Sequence, residues 1–558
     1  MKRRAFLKAT MTGPWLLGSL GQANPSTNRR GLPQTSGMNV LFINVEDLAA
    51  SAVGCYGNSV VQTPYLDRFA VEAVRFSRCY CQAPMCNPSR SSFLTGLRPD
   101  TTGVYDNDDP MDKRLPEGIR SLPEILHQYG FHTVNIGKLF HRTSTAATQL
   151  GAFDRLEYCT PPPCYRGQSQ GLPPELREAL RSLPKPAFTF SPDPKIERQM
   201  LALKAENDKL KSQAEPDSAE RHRAQRAFQQ PLANLFGSSG RLATQEPDGQ
   251  KARLAAHILG QLAQQKRQFF MSLGFSRPHT PLRCPAEYLD MYDLADIPSP
   301  QADPAADVNI PPVAKRFGRN YDIFNSTYQG PVTDEVARRA IRAYYACVSF
   351  VDAQIGMVLE ALKREGLSES TIVIISSDHG FQLGDHGLWS KYTLFEQSTR
   401  VPLLVRVPGL SNGLACDEIV ELVDLLPTLC DLLVIPPPEK LEGASFVPLL
   451  KEPRQPWKLA AFSVCSIAGY IGRSVRTKRW RYTDWQSRRT SLRQFELYDL
   501  KTDPWEQTNL AQDEGYRNQR TLLANLLQRG WAAAHHRRAG NSSVPVTPSS
   551  HRVGHILW

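Results

Sequence analysis

Two short runs constrain the fold of this chain more than any other feature. Asn39-Val40-Leu41-Phe42-Ile43-Asn44-Val45 is apolar almost throughout and stops on two acids, Glu46 and Asp47. Thr371-Ile372-Val373-Ile374-Ile375-Ser376-Ser377 follows the same pattern and stops on Asp378-His379-Gly380. Runs of this kind, without polar alternation, need cover on both faces, as a parallel strand inside an α/β sheet has. Residues 401–407 read as a third such strand. Between them lie helical stretches at 65–74, 122–129 and 336–365. The last carries Ala346, Phe350, Ile355 and Leu359 at helical spacing. Strands alternating with helices predict an α/β fold with a large, mostly parallel central sheet flanked by helices. Ligands of such sheets gather beyond the carboxyl ends of the strands, where these acids stand.

The chain has 558 residues, 41% hydrophobic and 22% charged, which excludes a disordered chain and leaves room for a large core with a companion unit. Pro161-Pro162-Pro163 opens a charged, Gln-rich stretch, read as an insertion over 160–250. A second shift comes at Pro436-Pro437-Pro438. Beyond it, 460–464, 472–477 and 480–485 look like short antiparallel strands and 519–534 like a terminal helix. The expected organisation is a catalytic unit over 37–435, a smaller C-terminal α+β subdomain over 436–536 with an antiparallel sheet, and a flexible tail over 537–558 rich in Ser, Pro, His and Arg.

Residues 1–36 read as an address. Lys2-Arg3-Arg4-Ala5-Phe6-Leu7-Lys8 precedes a modest apolar run and a small-residue end. That is the build of a signal peptide, and the paired arginines resemble a twin-arginine export signal. Export machinery is therefore an expected partner and a periplasmic or secreted location the expected one. The apolar run is too short to leave a membrane span in the mature chain. The 11 cysteines are too sparse for a disulfide scaffold, and the spacing of Cys159 and Cys164, or of Cys79, Cys81 and Cys86, does not settle pairing. A net charge of +11 is compatible with an anionic substrate, although solvated basic ends explain it as simply. No basic helix interleaved with aromatics supports nucleic-acid binding.

Glu46, Asp47, Asp378 and His379 end two strands expected to be neighbours. A carboxylate-rich set of this kind selects a hard divalent cation, Ca²⁺ or Mg²⁺. The most specific segment is Cys86-Asn87-Pro88-Ser89-Arg90, continued by Ser91-Ser92-Phe93-Leu94-Thr95-Gly96. Here the sequence resembles the sulfatase family of the alkaline-phosphatase-like superfamily, whose hallmark is Cys-x-Pro-x-Arg followed by a Ser/Leu/Thr-Gly segment. The likeness runs through nearly all of the mature chain. It includes Gly137-Lys138-Leu139-Phe140-His141, Arg277-Pro278-His279-Thr280-Pro281, Ser377-Asp378-His379-Gly380 and Gly384-Asp385-His386-Gly387-Leu388-Trp389-Ser390-Lys391. The three-residue step from Lys138 to His141, with Arg98-Pro99-Asp100-Thr101-Thr102, is nearest the iduronate-2-sulfatase-like branch. One departure stands out: the first strand ends Glu46-Asp47 where the family commonly has Asp-Asp, so the first carboxylate reaches one methylene farther.

The resemblance implies a chemistry. Cys86 is oxidised to formylglycine by a separate formylglycine-generating enzyme, and the aldehyde hydrates to a gem-diol. One hydroxyl attacks the sulfur of a sulfate ester while the alcohol leaves, and the sulfated intermediate then loses the second hydroxyl proton and expels sulfate, which regenerates the aldehyde. The metal set is Glu46, Asp47, Cys86 as modified, Asp378 and His379, with Ca²⁺ ahead of Mg²⁺. Arg90 holds the modified side chain or the metal-site oxygens. Lys138, Lys391 and His279 contact sulfate oxygens, His141 assists proton movement at the second hydroxyl, and His279 is the candidate acid for the leaving oxygen. Trp389 offers a ring either to a sugar or to the core. The expected substrate is a sulfated carbohydrate, such as a glycosaminoglycan-type uronate. Two other readings remain: a phosphodiesterase or phosphonate hydrolase of the same superfamily, and a non-catalytic binder of sulfated glycans.

Overall fold

The computed structural model describes residues 37–141, 152–157, 236–315, 332–410 and 413–535. The export signal, most of the 160–250 insertion, Cys159, Cys164 and the tail lie outside these residues.

The described strands of the main sheet are β1 (Asn39–Val45), β2 (Val74–Tyr80), β3 (His132–Gly137), β4 (Arg155–Glu157), β5 (Phe269–Phe275), β6 (Thr371–Ser377), β7 (Arg400–Arg406) and β8 (Leu414–Glu421). Their order is β8-β2-β7-β6-β1-β5-β3-β4. All run parallel except β7, which is antiparallel to both β6 and β2. The segment expected as a third parallel strand is therefore reversed. The stretch between β6 and β7 holds only short helical turns, and a chain that returns without a full crossover lies antiparallel to the strand it left. Its apolar run is unaffected, because both of its faces are still covered.

The sheet is sandwiched. Leu41, Ile43 and Val45 point into a core shared with helices α4 (Pro247–Gln265) and α5 (Asp334–Arg364). Phe42, of opposite parity, meets Phe93 of α2 (Cys86–Thr95) edge-on at 5.7 Å. This alternation is why β1 carries no polar face. Helix α4 begins at Pro247, so the last residues assigned to the insertion belong to the core. Helix α1 covers Pro64–Glu72 and ends before Val74, which opens β2 rather than closing the expected helix. Helix α3 spans Leu122–Gln128 and starts with a capping box from Ser121 and Glu124.

A second sheet follows helix α6 (Leu425–Leu433) and the triple proline: β9 (Ala460–Ile467), β10 (Tyr470–Thr477), β11 (Trp480–Ser487) and β12 (Arg493–Asp499), an antiparallel meander. One face sends Trp485 and Tyr498 against Leu388 and Phe395 of the main unit. The other packs Val475, Tyr482 and Leu497 against Leu523 of α7 (Arg517–Arg529). Buried charges close the joint: Glu396 accepts from Arg476 at 2.9 Å and Arg481 at 2.6 Å, and Arg481 also binds Glu506 at 2.5 Å.

Asp352 of α5 anchors the start of α1 by accepting from the amides of Tyr65 at 3.1 Å and Leu66 at 2.7 Å. Burial raises its carboxyl from the ordinary 3.8 to about 7. Between those values the folded chain holds a proton that the unfolded chain has lost. The stabilisation is complete below 3.8 and disappears as pH rises through about 7. We expect the urea midpoint to fall between pH 5 and pH 8 by more in the native chain than in Asp352→Asn; equal falls in both would contradict this assignment.

Candidate active site

In-register pairing brings the strand ends together. Val45 lies opposite Ser377 on one side and Phe275 on the other, and Gly137 lies opposite Gly274. Glu46-Asp47, Asp378-His379, His279 and Lys138 therefore all leave the same edge of the sheet, from β1, β6, β5 and β3. Two glycines permit the close approach at β3 and β5. A Cβ on Gly274 would strike the Lys138 backbone, and one on Gly137 the Gly274 carbonyl.

Cys86 is the first residue of α2 and is buried, as is every residue of that ten-residue helix. Its Sγ lies 3.3 Å from His379 Nε2, 3.4 Å from Lys391 Nζ and 3.5 Å from Glu46 Oε1. Lys391 Nζ donates to both oxygens of Asp47, at 2.8 and 2.9 Å. Lys138 pairs with Glu46 Oε1. His379 Nε2 is 3.4 Å from Asp47 Oδ1 and 3.7 Å from Asp378 Oδ1. Arg90, one turn along α2 from Cys86, donates from Nε to Asp378 Oδ2 at 2.9 Å and from Nη1 to the Lys138 and Leu139 carbonyls at 2.8 and 3.0 Å. His279 belongs to a group with Glu46, Asp47 and Cys86 whose ligand atoms lie within 4.8 Å of one another; Asp47, Cys86, Asp378 and His379 form a second such group. His141 is buried at the end of the segment that follows β3. Trp389 is buried in the main core, which places its ring in packing rather than at a sugar face.

The electrostatics follow from burial. Three carboxylates, Glu46, Asp47 and Asp378, stand with three cationic side chains, Arg90, Lys138 and Lys391. Burial alone would raise the Asp378 carboxyl, but the charges of Arg90, Lys138 and Lys391 hold it well below the usual carboxylate range. Burial lowers His379 and outweighs the pull of Asp378. Its Nδ1 donates to the Gly380 carbonyl at 2.9 Å, which leaves the Nε2 lone pair facing the carboxylates, as a metal-ligating imidazole requires. Burial pushes the Cys86 thiol well above its ordinary value despite Lys391, so an unmodified Cys86 is a poor nucleophile.

Several supporting residues carried no signal in the sequence. Asp47 has a positive φ of 62°, and its carbonyl accepts from Tyr344 Oη of α5 at 2.6 Å. Ser89 donates to the Asp378 carbonyl, and Ser377 Oγ bridges the Leu48 amide and the His379 carbonyl at 2.9 and 2.7 Å. Asp248 accepts from the Ser276 and Arg277 amides at 2.9 and 2.8 Å and is paired with Lys251, fixing the turn that leads to His279. Asp248 and Lys251 sit one helical turn apart, a spacing that reads as an ordinary surface pair.

Comparison with known proteins defines the class. The sulfatase family matches residues 38–435, and the C-terminal model of N-sulphoglucosamine sulphohydrolase matches 384–531. This chain belongs to the sulfatase family. A sulfatase of Formosa agariphila is 30% identical over 496 residues, covering 88% of this chain and 86% of that protein. Iduronate 2-sulfatase of Mus musculus is 28% identical over 575 residues, covering 89% and 95%. Among solved structures, the phosphonate monoester hydrolase of Agrobacterium radiobacter has a TM-score of 0.65 at 24% identity, covering 89% of this chain and 96% of that one. A structure bound to its substrate D-glucosamine-2-N,6-O-disulfate has a TM-score of 0.63 at 19% identity, covering 88% and 97%. At these identities the solved structures speak for the fold.

Arg90 and Asp378 are 1% and 0% exposed, so removing one strands the other. Arg90→Ala is expected to lower the unfolding free energy by about 3–5 kcal/mol. Chemical denaturation checks this, and a loss below about 1 kcal/mol would contradict the buried-pair account.

Proposed function

We propose that this chain is an exported sulfatase acting on a sulfated, uronate-containing sugar, with Cys86 converted to formylglycine and one divalent cation, Ca²⁺ ahead of Mg²⁺. One observation carries the reading: His379, Lys391 and Glu46 converge on Cys86 Sγ within 3.3–3.5 Å at the first residue of α2. The donor set fits a hard cation, since it offers buried carboxylates and an imidazole lone pair within one ligand's reach of one another. Asp47, Asp378, His379 and Glu46 would hold it beside residue 86. When present, the cation supplies Lewis acidity and the formylglycine a nucleophilic oxygen.

The chain's own residues do the rest. Three carboxylates are already balanced by three cationic side chains, so a divalent ion makes the site net positive, as an anionic sulfate ester requires. Lys138 and Lys391 bind sulfate oxygens and offset the charge that grows on them. The N-terminus of α2 adds its dipole to the same end. His279 donates from Nδ1 to the Thr280 carbonyl at 2.8 Å, which turns Nε2 towards the leaving oxygen, and in its doubly protonated form the ring passes its Nε2 proton there. His141 handles the proton at the residue-86 oxygen. Arg90 keeps Asp378 charged and in place. Because α2 is buried throughout, the modifying enzyme must reach Cys86 before the chain folds.

The test uses protein co-produced with the formylglycine-generating enzyme. Free sulfate is measured from sulfated disaccharides and a generic aryl sulfate, with a phosphonate ester alongside and Cys86→Ala as control. We expect sulfate release that falls more than about 10³-fold in the control. Preference for a 2-sulfated uronate would support the iduronate-type specificity. Faster turnover of the phosphonate ester would favour that chemistry instead, and no turnover of any compound would favour a glycan binder.

His279→Gln separates the acid from the sulfate contacts. It should slow sugar sulfates by about 10²–10⁴-fold and an activated aryl sulfate far less. Equal losses on both would assign His279 to binding.

A further inference from the structure

A second cavity lies on the outer face of the C-terminal sheet, where α7 covers Val475, Tyr482 and Leu497 and leaves the rest of the face open. It holds about 660 Å³ between the end of α2, the sheet and α7. Its floor is Arg98, just beyond the end of α2. The Arg98 guanidinium binds Glu421 through two bonds of 2.8 and 2.7 Å and lies near the rings of Phe462 and Trp531, at 5.7 and 5.6 Å. Its Nε is buried and donates to no acceptor among the described residues. The rim is a row of planar polar groups. Arg473 binds Asp100 at 2.7 Å, Arg493 binds Asp484, and Gln486 and Gln528 stand beside them.

Rings beside planar hydrogen-bonding groups suit a sugar, which offers an apolar face and a polar edge. Each lining arginine is matched by a carboxylate, Glu421, Asp100 or Asp484, so the charge that favours an anionic sugar comes from Arg488 and Arg489, both exposed on the β11–β12 hairpin. The segment that carries Asp100 at the rim also reaches the helix of Cys86. Asn87, next to Cys86, donates to the Asp106 and Asp109 carbonyls at 2.9 and 2.7 Å. In the same loop Tyr105 donates to Asp100 at 2.6 Å and carries Arg488 over its ring at 5.8 Å.

We propose that this cavity is a second saccharide subsite. It holds an acidic sugar of the same polymer, remote from the ester being cleaved, so that oligosaccharides are preferred over disaccharides. The proposal rests on the sulfated-glycan reading above.

The experiment is calorimetric titration of full-length Cys86→Ala with heparin-derived hexasaccharide and disaccharide. Arg473→Gln and Gln528→Ala are then added, the first at a half-buried position and the second at an exposed one, with the urea midpoint checked to show that folding is intact. Hexasaccharide should bind about tenfold more tightly than disaccharide, and the rim variants should remove that advantage while leaving disaccharide binding unchanged. In the Cys86-containing protein the same variants should raise KM for the hexasaccharide and leave aryl sulfate turnover unaltered. Equal affinity for the two lengths, or rim variants that bind hexasaccharide as tightly as the parent, would overturn the subsite. Failure to release sulfate from any compound would count against the sulfatase reading, and the titration would still decide whether the cavity binds sugar.

Discussion

Three acids buried at the ends of two adjacent parallel strands are the constraint on which the rest of this structure depends. Glu46, Asp47 and Asp378 are almost wholly shielded from water, and unpaired carboxylates there would be untenable. The fold answers from three directions. Arg90 comes from a helix, Lys138 from the end of β3, and Lys391 from the segment beyond β6. Each element that supplies a cation is thereby pinned to the strand ends. Cys86 is carried into the middle because it shares a helix face with Arg90.

Pinning of this kind demands further support, and the structure supplies it in the backbone. Tyr344 holds the left-handed turn at Asp47, Ser377 ties the segments after β1 and β6 together, and Ser89 fastens α2 to Asp378. Asp248 does the same for the turn before His279. A sulfate ester differs little in size from other tetrahedral anions, so the placement of these cations and donors is what gives the site its chemistry. The second sheet adds a wall rather than a catalytic group. Its charged joint through Glu396, Arg481 and Glu506 fixes it against the main unit.

What the sequence revealed follows from what each signal can encode. The strands β1 and β6 were legible because burial on both faces writes an unbroken apolar run. Direction is not written there, and β7 was therefore read as parallel. β2 carries no clear strand pattern because its buried residues, Val74, Phe76, Cys79 and Tyr80, change parity across an irregularity between Phe76 and Cys79. The Cys86–Arg90 segment was readable as a motif because its chemistry is local. Tyr344 was not: it lies 297 residues from its partner Asp47, in a helix stripe that reads as core. Trp389 also reads either way, since a buried indole and a sugar platform look alike in sequence. Asp248 and Lys251 fell where composition set an insertion boundary, although the helix carrying them had already rejoined the core.

The most direct test of the central claim, that Cys86 is the precursor of the nucleophile, is the mass of the peptide carrying residue 86. The protein is co-produced with the formylglycine-generating enzyme, and the peptide is treated with a hydrazide probe. The account predicts that the residue has lost its sulfur and that the peptide takes up the hydrazide. A peptide with an intact thiol, recovered from protein that nevertheless releases sulfate, would contradict it.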